Sequence, residues 1–328
     1  DINDGLSQNT VTSIIQDDKG FMWFGTKDGL CRYDGKSFKT FMHDPRLTTG
    51  LGNSLIKCLV QDRDHRIWVG TDSGLYIYDP VTENFSGVPL YAADGKPITK
   101  PISILDCDRE GRVWIVVENS DVFCYDPQTR EVGCRYKPRK PLRSLASDKN
   151  GVIWFAGYGG GLYCTEDLFQ NVKPFLDADG QEIYPKDIIS FICLSDYNEM
   201  YLGLEEHGVA KVDLVAGTVT RLRLSDNPDA PLFVRHILPY SPDELWIGTE
   251  SGIVVYNIRT RRYQHLKSSP YDPYSLSDNA VYSLCKDREG GLWIGSFFGG
   301  INYLPQRNSD FEKYYHTDDP HSLRGRRV

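Results

Sequence analysis

The chain has 328 residues, with 37 Lys plus Arg against 45 Asp plus Glu and a formal charge of −8. That balance argues against direct contact with nucleic acid: no Lys/Arg-rich stripe stands out, and the short run Arg324-Gly325-Arg326-Arg327 is isolated. No run of about 20 apolar residues is available to span a bilayer, and the eight cysteines show no Cys-x-x-Cys spacing, so zinc and thioredoxin-like chemistry are disfavoured.

Taken in order, the chain opens inside a connection, because Leu6-Ser7-Gln8-Asn9-Thr10-Val11 aligns with Leu276-Ser277-Asp278-Asn279-Ala280-Val281. The stretch Gly20 to Asp34, GFMWFGTKDGLCRYD, then sets a pattern that returns six more times, anchored at Trp23, Trp68, Trp114, Trp154, Tyr201, Trp246 and Trp293. The anchors are 45, 46, 40, 47, 45 and 47 residues apart, a period that points to a repeat architecture. Met22-Trp23-Phe24-Gly25-Thr26 has strand composition, and a polar turn ending in Gly, such as Thr26-Lys27-Asp28-Gly29, leads into a second apolar strand that ends in Tyr-Asp.

Two more strands complete each unit. Twelve residues before the anchors stand Val11, Ile56, Ile102, Leu142, Ile189, Val234 and Val281. Nine before stand Ile14, Leu59, Leu105, Leu145, Ile192, Ile237 and Leu284. These two sets fall on opposite phases of a period-2 strand, which predicts an inner strand covered on both faces, one set to each face. A turn headed by Asp follows (Asp17, Asp62, Asp108, Asp148, Asp287), and a last short run such as Phe38-Lys39-Thr40-Phe41 closes the unit. The Asp side chains at these turns are expected to bond nearby backbone amides, and the anchor rings to form core. The fold class is all-β, a seven-bladed β-propeller of four-stranded antiparallel blades.

The propeller is expected over residues 1–316, with blade 1 packing directly on blade 7 and Phe311 to Tyr315 as the outer strand of blade 7. Asp319-Pro320-His321-Ser322-Leu323 aligns with Asp272-Pro273-Tyr274-Ser275-Leu276, so 317–328 read as the start of a further blade of a longer protein; Asp1, an unusual first residue, suggests a trimmed N-terminus. Cys124 and Cys134 flank one hairpin turn. Either they meet in a disulfide, which needs an oxidising compartment and close Cα approach, or each serves as a small hydrophobe like the other six.

The pattern Asp17…Gly20-Phe21-Met22-Trp23-Phe24-Gly25-Thr26…Gly29-Leu30…Tyr33-Asp34, repeated around Trp68 and Trp293, resembles the two-component regulator propeller repeat; Val116-Val117 and Tyr201 depart from it. The resemblance implies the periplasmic region of an inner-membrane protein, a hybrid two-component sensor histidine kinase that responds to an oligosaccharide and regulates transcription of glycan-utilisation genes. The implied partners are that ligand, a further propeller and signalling domains of the same polypeptide, and a second copy in a homodimer. Kinase activity would belong to those other domains, not to this chain.

The residues themselves offer no catalytic constellation. The seven histidines are dispersed, and there is no Gly-x-Ser-x-Gly elbow, His-Glu-x-x-His pair or phosphate loop; no cofactor or metal is implied. A binding face is the stronger expectation. In a propeller the turns between the two middle strands share one end with the connections between blades. Candidates there are Lys27, Asp28, His43, Arg46, Asp72, Tyr158, Glu205, His207, Glu250, Tyr271, Tyr274, Phe297 and Phe298, with Arg143 and Arg235 as channel-lining residues. Aromatic rings suit the apolar face of a sugar and the charged groups its hydroxyls. Equally, these rings cap the barrel end or pack on a neighbouring domain. Two rival functions stand beside the sensor: a propeller lyase or glycosidase with carboxylates drawn from two blades, and a non-catalytic dimerisation scaffold.

Overall fold

The computed structural model describes residues 1–306 except 93, 120, 196, 197, 228, 229 and 273. Blade 1 is the meander β1 (Val11–Gln16), β2 (Met22–Thr26), β3 (Gly29–Tyr33) and β4 (Phe38–Phe41), each strand antiparallel to the next. Five more four-stranded sheets repeat it, and blade 7 contributes three described strands, Val281–Lys286, Leu292–Ser296 and Ile301–Leu304. The outer strand expected at Phe311 to Tyr315, and everything assigned to 317–328, lie outside the described residues. The protein is a seven-bladed β-propeller of four-stranded antiparallel blades. The only helical element among the described residues is a single turn at Ile2–Asp4.

The innermost strands close a ring, each lying against the next and Val281–Lys286 lying against β1. Seven apolar clusters fill the seven spaces between blades. Each anchor inserts toward the following blade. Trp23 meets Tyr78 of blade 2 edge-on at 4.9 Å, Trp68 meets Tyr125 of blade 3, and Trp293 packs on Phe24 and Tyr33 of blade 1. Blade 1 therefore packs directly on blade 7, and Arg288 ties the other end of that seam by donating to the Asp18 carbonyl at 2.7 Å.

The turn aspartates do two things at once. Asp17 Oδ1 accepts from the Lys19 and Phe21 amides, and Oδ2 accepts the Trp23 indole N–H at 2.8 Å. Asp62, Asp108, Asp148 and Asp287 hold Trp68, Trp114, Trp154 and Trp293 in the same way. A buried indole N–H without an acceptor is costly, so the turn and the ring specify each other. Blades 5 and 6 lack this Asp and substitute from the strand itself: Tyr201 donates to Glu199, and Trp246 donates to Glu244.

The glycine two residues past the anchor is required by close approach. A Cβ on Gly25 would stand 2.7 Å from Ile56 Cγ2 of the next blade, and one on Gly295 would stand 2.7 Å from Val11. The glycine ending the middle turn is required by backbone conformation instead, with φ of 112° at Gly29 and 132° at Gly74.

One expectation is corrected. The residues twelve and nine before each anchor do not split between two faces. Val11 and Ile14 share one cluster toward blade 7, and Ile56 and Leu59 share one toward blade 1. The reason is a bulge in every inner strand, at the residue eleven before the anchor: pairing skips from Val11 to Ser13 in blade 1 and from Val281 to Ser283 in blade 7. An extra residue flips the phase, so positions three apart point the same way. The opposite face, carrying residues such as Cys58, Val60 and Phe191, turns to the following blade.

The eight cysteines are free. Cys124 stands opposite Gly133 and Cys134 opposite Phe123, so the two are offset by one residue; Cys124 is buried while Cys134 is exposed.

Candidate functional site

The bulges and the middle turns meet at one end of the ring. In each blade the backbone N–H four residues after the anchor donates to the carbonyl thirteen before it, as Lys27 does to Thr10 at 3.2 Å, Asp72 to Leu55 at 3.0 Å and Phe297 to Ala280 at 2.9 Å. This fastens every middle turn to the start of its own inner strand. Two concentric sets of seven side chains result. The inner set comes from the bulges: Thr12, Lys57, Ser103, Arg143, then Ser190, Arg235 and Tyr282. The outer set comes from the turns: Lys27, Asp72, Glu118, Tyr158, then Glu205, Glu250 and Phe297. Four cations face four carboxylates, so the mouth is charged throughout yet near neutral in sum.

The charges are not evenly satisfied. Lys57 lies 2.9 Å from Glu118 and 3.3 Å from Asp72, bridging blades 2 and 3. Burial alone would lower its pKa, but the two carboxylates override it and hold the pKa above the usual lysine value. Arg235 Nη2 contacts Glu250 at 2.5 Å, the Tyr282 hydroxyl donates to the same carboxylate oxygen at 3.0 Å, and the guanidinium lies 5.2 Å from the Tyr282 ring centre. Burial, only partly offset by Arg235, raises the Tyr282 phenol. Tyr282 leans on Phe297, Phe297 on Phe298, and the Lys27 ammonium sits 4.0 Å over Phe297. This makes an aromatic ledge on blade 7, flanked by Arg235 of blade 6 and Lys27 of blade 1. At blade 4, Arg143 lies 5.3 Å over Tyr158. Cations over aromatic faces are favourable where water is partly excluded.

Of the residues expected to bind ligand, the structure brings Lys27, Asp72, Tyr158, Glu205, Glu250 and Phe297 into the mouth. Asp28 and Phe298 stand one residue further out, Phe298 at 71% exposure. Of the others, His207 ends the middle turn of blade 5 and the rest stand in the connections. His43 bonds the Leu51 carbonyl through Nδ1, Arg46 pairs with its neighbour Asp44, and His207 faces Asp187 at 3.3 Å. Tyr271 and Tyr274 project outward at 60% and 61% exposure. Sequence reasoning missed Lys57, Ser103, Glu118 and Tyr282. They occupy the same repeat phases as Arg143 and Tyr158, so counting from the anchors finds them.

Contrary to the expectation that no Lys/Arg-rich stripe stands out, basic side chains do cluster. Lys137, Arg139, Lys140 and Arg143 gather beside the mouth, lining or adjoining a cleft between blades 3 and 4 that is lined by no acidic residue among those described. Among the described residues no group of three or more His, Cys, Asp or Glu is arranged to hold a metal. No helix there is long and apolar enough to cross a membrane.

Comparison with known proteins follows the same geometry. Residues 5–28, 50–73 and 275–298 match the two-component regulator propeller model, each match running through an inner strand into the middle turn. A histidine kinase of Formosa agariphila is 30% identical over 203 residues, 60% of this chain and 14% of its own length. The extracellular domain of a hybrid two-component system from B. thetaiotaomicron superposes with a TM-score of 0.78 at 23% identity, covering 93% of this chain and 41% of that one. A virginiamycin B lyase from Staphylococcus aureus superposes with a TM-score of 0.67 at 11% identity, covering 91% and 96%. At such identities the superpositions carry the fold. Through its matched blades the chain carries the two-component regulator propeller repeat, and its fold is that of the extracellular domains of hybrid two-component systems.

Proposed function

We propose that the chain is the ligand-sensing propeller of a hybrid two-component sensor histidine kinase, held in the periplasmic region of an inner-membrane protein. In this reading the mouth formed by the two sets of seven binds an oligosaccharide, and other domains of the same polypeptide carry the signal to transcription. The observation that supports it best is the composition of that mouth. Hydroxyl, carboxylate, guanidinium and aromatic groups converge there, the chemistry that recognises sugar rings and their hydroxyls. The chain spans 14% of the histidine kinase it matches, which leaves ample length there for signalling domains.

The lyase fold match gives a rival enzyme reading, and an interaction scaffold gives another. Calorimetry with a panel of glycan oligosaccharides, with product analysis of the same samples, separates the three. Saturable binding without turnover, weakened by Glu250→Gln, supports the sensor. Turnover supports the enzyme. Silence, with a concentration-dependent dimer, supports the scaffold.

A further inference from the structure

The cleft between blades 3 and 4 has a volume of about 590 Å³ and opens beside the mouth. Its lining includes Lys137, Arg139 and Lys140 from the connection between the two blades, together with Tyr136, Tyr158 and Tyr163. Arg143, at the bulge of blade 4, adjoins it through its contact with Tyr158. The carbonyl of Gly159 accepts from Lys140 Nζ at 2.5 Å, which draws the connection over the cleft. Pro138 and Pro141 stiffen that connection.

Two features set this cleft apart. None of Lys137, Arg139, Lys140 and Arg143 joins an ion pair among the described residues, whereas at the same phases Lys57 and Arg235 are each met by a carboxylate. Among the described residues no acidic side chain lines it, in a chain whose formal charge is −8. Four cations within seven residues repel one another, so leaving them without a counter-charge has a cost that a bound anion would remove.

We propose that this cleft recognises the anionic substituent of an acidic oligosaccharide, a sulfate ester or a uronate carboxylate, while the sugar rings lie along Tyr158 toward the mouth. The proposal rests on reading the mouth as the ligand site. Arg139 and Arg143 offer forked donors to a sulfate or carboxylate, and Tyr158, 39% exposed, offers a ring face. A long nucleic acid is the poorer fit, because the net negative charge of the rest of the chain opposes it.

The test is calorimetry on the 328-residue chain with size-matched probes: a neutral maltohexaose, an oligogalacturonate, a sulfated galactan hexasaccharide that carries no uronate, and a single-stranded hexanucleotide. One of the two acidic glycans should bind at least about tenfold more tightly than maltohexaose, the gain expected from one charge-assisted hydrogen bond. That advantage should shrink between about 50 and 200 mM salt. Lys137→Glu/Arg139→Glu should abolish it without lowering the melting temperature, since both side chains are exposed. Which acidic glycan wins separates sulfate from carboxylate. Equal binding of neutral and acidic glycans, an unaffected double variant, or hexanucleotide binding as tight as the best glycan each overturns the proposal. If maltohexaose binds and only Glu250→Gln weakens it, the sensor reading stands and this one falls. If no glycan binds, both fall.

Discussion

Blades 2 and 4 are cut to the same plan and end in opposite chemistry. Both hold an anchor Trp by a turn Asp, both bulge eleven residues before that Trp, and both put a cation at the bulge. In blade 2 the cation, Lys57, is clamped between Asp72 and Glu118. In blade 4 it is Arg143, which rests on Tyr158 and has no ion-pair partner among the described residues. The lesson is that the repeat fixes where a side chain goes and leaves open what it meets. Positions that hold blades together are uniform, and positions at the mouth are free to differ.

The largest test of that division is the anchors. Trp68→Ala and Trp154→Ala should each destabilise the chain by about 3–5 kcal/mol, the usual loss for a buried large aromatic, measured by thermal or denaturant unfolding. A cost at Trp154 far below that at Trp68 would show that blade 4 is not held as blade 2 is.

Next comes the close-approach glycine. In blade 2 a Cβ on Gly70 would stand 2.5 Å from Cys58 Sγ and 3.0 Å from Ile102, while blade 4 already carries Ala156 at this phase. Gly70→Val should therefore cost about 1–3 kcal/mol through overpacking. Ala156→Val is expected to cost less, and equal losses would remove the distinction.

Blade 6 extends the comparison to pH. Ten residues before the anchor, blade 2 has Cys58, blade 4 has Ser144 and blade 6 has His236, which packs 4.6 Å from the Phe191 ring. Burial lowers the His236 pKa from 6.5 to about 4. The unfolded chain then binds this proton more readily than the folded one. Stability is full above pH 6.5 and declines as pH falls toward about 4. The residue as a whole is only half-buried, so the loss should be about 1–2 kcal/mol rather than the full value of the shift. His236→Gln should flatten unfolding curves over that window, and an unchanged slope would clear His236 of the role.

The smallest effect sharpens the blade 2 side directly. Glu118→Gln leaves Lys57 with Asp72 alone. Stability should change by less than about 1 kcal/mol, because the pair is partly exposed. Affinity for an acidic oligosaccharide should rise, since blade 2 then approaches the unpaired state of blade 4; a drop would contradict the comparison.

The architecture was legible because its determinants are local and recur: the Trp, the turn Asp and the Gly each stand at a fixed count along the chain. The inner-strand faces were misread because a bulge leaves no mark in composition; Thr12, Lys57 and Tyr282 share the position without sharing any property. Glu118 went unnoticed because Val116-Val117 breaks the motif just before it. The basic cleft escaped because Lys137, Arg139, Lys140 and Arg143 alternate with Pro and Leu, and only the fold of the connection gathers them on one side. The offset of Cys124 and Cys134 follows from strand register, which spacing alone does not give.

Since every blade delivers its bulge and turn side chains at the same height, a small ligand at the mouth faces seven poses related by rotation about the propeller axis. Were the blades identical, these poses would be isoenergetic, and a bound sugar could step around the rim like a hand on a dial. The uneven charges break that degeneracy. Blades 2 and 6 are internally neutralised, blades 1 and 4 present net cations, and blades 3 and 5 net anions. A bias of about 1.2 kcal/mol, RT times the logarithm of the blade number, already makes one pose about as populated as the other six together. A single substitution at the rim can therefore reorient a ligand without expelling it, so on the proposed sensor reading a variant that still binds but no longer signals is an expected class of mutant.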